Sequence, residues 1–399
     1  MKSIKFIVLI GVLFIFYINF SCNNNAKSTN NVENDITNNE NVFKIDYPKD
    51  SSLDQISSLL AGDCAKNFET IFTDEMVFWN EFKNSVDNSW AKIIEERLSK
   101  MDVWSETEIN SKINDTILLF YPFSGPDFLN AYHLFPNANE YILVAMEKIG
   151  SLPNLYEMNE ADINDYLEAV NFSLRDIFKR SYFITGNMNS DLRKNKTDGV
   201  LPLLFVFLNR TNHEIFEYGY YRLEDDGQTF TKIDAPTNSL ENIECVKIKI
   251  LKKGDNKLKD LTYFYADITD DGFDKTSPFY SYLDSLRACN VFIKSASYLS
   301  HYSTFSKIRN LVLNKSKAVL EDDTGVPFRF FKDDFDFYLY GEYEKPIADF
   351  NSTGLFQKDL NDAYVNVGAK ELDFSLGYHW HSTKQNWLLF VKKDKSLVN

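Results

Sequence analysis

"LLFYPFSGPDFLNAYHLFPNANEYILVAMEKIG", residues 118–150, decides the reading of the fold. Its opening run, which with the two preceding residues reads "TILLFYPF", is apolar and aromatic throughout. That length and composition suit a strand buried on both faces. Ser124-Gly125-Pro126-Asp127 then punctuates the chain, with Pro126 and Asp127 suited to a helix start. The helix would carry Phe128, Leu129 and Tyr132 inward and stop before Pro136. "EYILVAME" returns as a second buried strand. Two such strands joined by a helix make a βαβ unit, for which a right-handed crossover is expected.

Upstream, residues 53–104 read as helices. Phe82, Val86, Trp90, Ile93, Ile94, Leu98 and Met101 recur every three or four positions. Downstream, Asn159 caps an amphipathic helix running from Glu160 to about Lys179. "LPLLFVFLN" and "HEIFEYGYYRL" read as strands, with "DDGQ" turning into "TFTKI". The loop Ile233–Ser239 is the best internal boundary. Beyond it come a hairpin, "CVKIKILKKGDNKLKDLTYFYADI", and a helix over Pro278–Leu286. The strand "NVFIKS", a helix over Phe305–Asn314 and the strand "KAVLEDD" follow. The end is strand-rich, with "FDFYLYGEY" alternating and "LDFSLGYHWH" expected to pair with "NWLLFVKK".

The expected fold is therefore α/β, or α+β. A helical N-terminal part precedes two βαβ-containing halves with a mixed sheet and antiparallel hairpins. The halves are residues 51–235 and 236–399, with fusion into one body open. A degenerate duplication is also open, since a serine follows a strand at both Ser124 and Ser295 and each unit closes on a glycine before a proline.

The first fifty residues speak to location. Lys2 and Lys5 precede an apolar run of 13 residues, Phe6–Ile18. Spanning a bilayer takes about 20 residues, whereas a secretory leader needs about 7–15. Residues 1–21 are thus expected to be a signal peptide. Ser21-Cys22 behind such a run suits a lipoprotein signal, with Cys22 acylated; ordinary secretion and an uncleaved anchor are the alternatives. The Asn-rich residues 22–50 carry too few apolar side chains to offset their ordering entropy and read as a tether.

A net charge of −15 without a basic cluster argues against nucleic acid and against an anionic lipid surface; the expected membrane contact is the lipid on Cys22. Past Cys22 only Cys64, Cys245 and Cys289 remain, so at most one bridge can form; structural burial is the default for all three, with a Cys245–Cys289 bridge as the alternative.

No Gly-x-Ser-x-Gly elbow is present. His133 lies six residues beyond Asp127 and points elsewhere on the helix. Parallel strands would instead gather Ser124, Asp127, Glu147, Lys148, Asp267, Asp270, Lys294, Ser295, Glu321, Asp322 and Asp323 at one sheet edge. Within that rim Asp127, Asp322 and Asp323 are acid/base candidates, and Ser124, Glu147 and Lys294 are binding candidates. Ordinary solvated strand ends are the plainer reading. "DITDDGFDKTSP" places Asp267 and Asp271 as in a calcium loop, but Pro278 stands where the bidentate glutamate belongs. His379 and His381 would share a strand face, a start for zinc that lacks a third ligand. No cofactor is expected, and calcium or zinc is the outside option.

"YPFSGPDFLNAYHLFPNANEYILVAMEKIG", "SASYLSHYSTFSKIRNLVLNKS" and "LEDDTGVPFRFF" resemble a family of uncharacterised bacterial envelope proteins and lipoproteins across about residues 115–395. The resemblance implies an envelope location and one continuous body, and no activity or ligand. The expectation is a lipid-anchored envelope protein that binds a ligand or partner through its α/β body. An envelope hydrolase using the strand-end carboxylates and a structural assembly component are the alternatives.

Overall fold

The computed structural model describes residues 45, 47–63, 77–113, 118–183, 198–331, 333–350, 354–380 and 384–394. The leader, Cys22, the tether up to residue 44, Cys64 and His381 lie outside them. Helix α1 (Ser51–Leu60) begins where the Asp50 carboxylate accepts the Ser52 N–H. Helix α2 (Val77–Ile93) buries Trp79, Phe82, Val86 and Ile93 and continues through two π-helical turns around α3 (Ser99–Trp104). Then the period changes, as the sequence pattern expects. Strand β1 (Leu118–Pro122), helix α4 (Phe128–Leu134) and strand β2 (Glu140–Ala145) follow, with every β1 residue buried. Helix α5 (Glu160–Arg180) starts on Asn159, whose side chain accepts the Asp162 N–H at 2.9 Å.

Residues Leu201–Arg210 form helix α6, not the strand expected of "LPLLFVFLN". An unbroken apolar run fits either a buried strand or a helix buried all round. Here Leu201 and Leu203–Leu208 are each at most 1 % exposed, and Pro202 occupies the first turn, where its missing N–H costs nothing. A backbone crossing delivers this helix to the sheet. Val200 N–H donates to Lys148 O at 3.0 Å and Leu201 N–H to Ile149 O at 2.9 Å. The crossing is so close that a Cβ on Gly199 would lie 2.4 Å from Gly150 N.

The remaining elements are β3 (His213–Leu223), β4 (Phe230–Ile233), β5 (Glu244–Lys252), β6 (Lys259–Tyr265), α7 (Pro278–Ser285), β7 (Cys289–Ile293), α8 (Ser306–Lys315), β8 (Ser316–Glu321), β9 (Phe335–Gly341), α9 (Lys358–Val367) and β10 (Asn386–Lys392). The ten strands among the described residues join one sheet in the order β4-β3-β5-β6-β2-β1-β7-β8-β10-β9. The central five, β6-β2-β1-β7-β8, are parallel, and antiparallel pairs extend both edges. The sheet runs without a break across residues 235 and 236, because β3 pairs with β5 along most of its length. The described residues form one compact unit.

Alternate residues of each central strand feed two cores. Leu119, Tyr121, Tyr141 and Leu143 pack with α1–α6 on one face. Leu118, Phe120, Ile142 and Val144 pack with α7, α8 and α9 on the other. The protein is a three-layer α/β fold. Among the described residues no helix is long and apolar enough to cross a membrane.

One further expectation is corrected, and one open alternative is closed. "LDFSLGYHWH" is not a strand, and His379 ends a 3-10 turn, Gly377–His379. Its apolar alternation comes from Phe374 and Leu376 plugging into the first core; β10 pairs with β8 and β9 instead. Cys245 and Cys289 are free, buried thiols, both pushed up to about 12 by burial. They sit on β5 and β7, four strand spacings or roughly 19 Å apart across the sheet, beyond the reach of a disulfide.

Gly199→Ala drives a methyl into the 148–150 backbone. We expect urea unfolding to show a loss of about 3 kcal/mol, whereas Gly254→Ala, where nothing lies within 4 Å, costs far less.

Candidate functional site

The chain leaves β1 towards β2 on one side and leaves β7 towards β8 on the other. Helix α4 therefore packs on one face of the sheet and α8 on the opposite face. Where the winding reverses, the loops after β1 and β7 part and leave a crevice at the carboxyl ends of the strands. A cavity of about 520 Å³ occupies it. Of the sequence candidates, Ser124, Glu147, Asp267, Lys294 and Ser295 line this cavity. Asp127, Asp322 and Asp323 stand behind its wall, each at most 2 % exposed.

Asp127 caps α4 by accepting the Asn130 N–H at 3.1 Å. Its carboxylate also receives Tyr121 Oη at 3.1 Å, Asn130 Nδ2 at 2.9 Å and the Lys294 ammonium at 2.6 Å. Helix-start punctuation at residues 124–127 is thus joined to a buried ion pair. Lys294, from the end of β7, also donates to the carbonyl of Ser181, the left-handed C-cap of α5. Burial pulls the lysine's pKa down while Asp127 pulls it back up. Arg97 is buried nearby, lowered to about 10 by desolvation against the favourable field of Asp127, and donates to Ile177 O at 3.1 Å.

A second network holds the other wall. Asp322 accepts the Ser295 N–H at 2.9 Å and the Thr324 N–H at 3.0 Å. Asp323 accepts Tyr298 Oη at 2.6 Å and Asn386 Nδ2 at 3.0 Å, with His379 Nε2 at 3.4 Å. Ala296 N–H donates to Thr324 Oγ1 at 2.8 Å. Burial, then the charge of Asp323, raises Asp322 to about 6. Burial raises Glu321 well above the usual carboxylate range, although it accepts the Val326 N–H at 2.9 Å. Gly377 packs closely on the same loop, since a Cβ there would lie 2.7 Å from Ser295 Oγ.

Five of the seven described non-glycine residues with positive φ border this site: Phe123, Ser181, Ser295, Ser297 and Tyr298. Left-handed backbone costs of order 1–3 kcal/mol per residue and concentrates where surrounding structure enforces it, often at functional sites. That clustering selects this crevice over a wider groove of about 970 Å³ between α2 and α5, which a helix–helix surface lines.

The metal options gain no geometry. Asp267 Oδ1 accepts the Thr269 N–H in a local turn at 2.8 Å, and Asp271 is exposed. Among the described residues no three His, Cys, Asp or Glu side chains are grouped to hold a metal ion. The reading of residues 118–150 and 294–323 missed the aromatic walls from Tyr182, Phe183, Phe350 and Tyr378. These arrive from distant segments, and no local pattern announces them.

Fold and site together define a three-layer α/β protein with a preformed crevice at its switch point. Compared with protein-family models, curated proteins and solved structures, the chain matches none.

Lys294→Met strands the buried Asp127 carboxylate, and a stability loss of about 3–5 kcal/mol is expected in urea melts. Adding Asp127→Asn, which keeps a capping side chain, should recover part of it; a single-variant loss below about 1 kcal/mol would contradict the pairing. The raised Asp322 makes the folded state bind the extra proton more tightly. Its contribution is present below about pH 4 and lost as pH rises through about 6. Asp322→Asn should therefore flatten the fall in unfolding free energy across that window, whatever its offset. An unchanged slope would count against it.

Proposed function

We propose that the protein is exported, held at a membrane by acyl chains on Cys22, and binds a small ligand in the crevice between the ends of β1 and β7. The observation that carries the binding reading is the preformed cavity itself. Its volume falls within the range of ligand pockets, its walls are mostly apolar and aromatic, and a few polar groups converge on it. Strained residues and buried hydrogen-bond networks hold both walls in place before any ligand arrives, and such preorganisation lowers the entropic cost of binding. The Ser295 hydroxyl is buried without a hydrogen-bond partner among the described residues, which suits a contact made by the ligand.

Binding is favoured over hydrolysis because the acids at the end of β8 lie behind the wall, each tied into hydrogen bonds that position loops. The anchor reading is supported by the short apolar run ahead of Ser21-Cys22.

Two measurements test the two parts. Radiolabelled palmitate should enter the protein and be lost in Cys22→Ala; an unlabelled wild type ends the anchor reading. A fragment screen by ligand-observed NMR should give hits that weaken at least about tenfold in Met146→Trp, which narrows the exposed rim of the cavity. Hits indifferent to that change would place binding elsewhere.

A further inference from the structure

We infer that the crevice selects an organic cation, an ammonium group carried on a ring-sized apolar body. The inference rests on the ligand-binding reading above and adds the chemical class of the ligand. At the switch point of an open α/β sheet, helix N-termini commonly receive a ligand's phosphate. Here the chain fills both of those positions with its own carboxylates. Asp127 caps α4, accepting the Asn130 N–H. Asp270 accepts the Lys307 N–H at 2.9 Å and the Ser306 hydroxyl at 2.5 Å at the start of α8. An anionic ligand would meet occupied helix ends.

The charges on the wall point the same way. Among the described residues Lys294 is the one basic side chain lining the cavity; it is 3 % exposed, and its ammonium is committed to Asp127 and the Ser181 carbonyl. Asp267 also lines the cavity, and among the described residues no basic side chain pairs with it. The local turn at Thr269 and the backbone of Gly272, whose Cβ would fall 2.8 Å from Oδ2, hold this carboxylate in place. The same cavity is lined by paired aromatic rings. Tyr182 and Tyr378 have centroids 4.7 Å apart, Tyr378 and Phe350 5.1 Å, and Phe123 and Phe305 5.8 Å. Aromatic faces carry partial negative charge and attract a desolvated cation. A fixed carboxylate in an aromatic-lined cavity, with the lining ammonium already paired, discriminates by charge.

The test uses three probes with one carbon skeleton: protonated phenethylamine, neutral 2-phenylethanol and anionic phenylacetate. Isothermal titration of the full chain at pH 7 and low salt should show the amine binding about tenfold or more tighter than the alcohol, with the acid weakest. Asp267→Asn should bring the amine down to the level of the alcohol. Retained alcohol binding in that variant shows that the crevice is intact. Asp271→Asn, four residues away and exposed, should leave the preference unchanged. Equal binding of amine and alcohol, or tighter binding of the acid, overturns the cation class while leaving the crevice as a binding site. No binding by any probe overturns the class and weighs against the crevice as well.

Discussion

The ammonium of Lys294 against the carboxylate of Asp127, 2.6 Å apart and sealed from water, is the contact on which the rest of the molecule depends. It joins the loop after β1 to the end of β7 at the point where the sheet reverses its winding. Through Ser181 it also fixes the end of α5. Desolvating two charges is expensive, so such a pair is a poor source of net stability. Its value lies in geometry. The carboxylate is also satisfied by Tyr121 and Asn130, and these bonds together tie three chain segments to one another.

The strained loops follow from that constraint. Residues 295–298 pass through three left-handed positions, which is tolerable because Asp322, Thr324 and Asp323 hold their N–H groups and the Tyr298 hydroxyl. Asp322 and Asp323 thus bracket the neighbouring loop, while Glu321 beside them holds the Val326 N–H of the loop that follows β8. Elsewhere Glu244 does a comparable job. Fully buried, it accepts the Thr237 N–H at 2.7 Å and the Thr237 hydroxyl at 2.8 Å and pins the loop between β4 and β5. Buried carboxylates in this protein mostly order backbone.

This division of labour bears on function. Acids already spent on backbone N–H groups are ill-placed for proton transfer, whereas a cavity whose walls are held in advance suits recognition. The net charge of −15 and the filled helix N-termini both act in the direction of the proposed preference for a cation, one at long range and the other at short range.

How much of this was legible along the chain depends on the range of the interaction. The β1–α4–β2 unit, the Asn159 cap, the hairpins and the gathering of Ser124, Glu147, Asp267 and Lys294 at one edge follow from periodicity and caps, which are local. "LPLLFVFLN" misled because a fully buried run carries no period; its state was decided by the Gly150–Gly199 crossing, 49 residues apart in sequence. "LDFSLGYHWH" misled because its alternation reports burial of Phe374 and Leu376 rather than a ladder. By itself the sequence determined the α/β class, most elements and the candidate rim, since neighbouring residues set backbone preference and burial pattern. Tertiary structure alone decided which carboxylates face the cavity and which stand behind it. It also brought Tyr378 and Phe350 to the cavity that Phe123 lines and paired Lys294 with Asp127, because these depend on distances between segments remote along the chain.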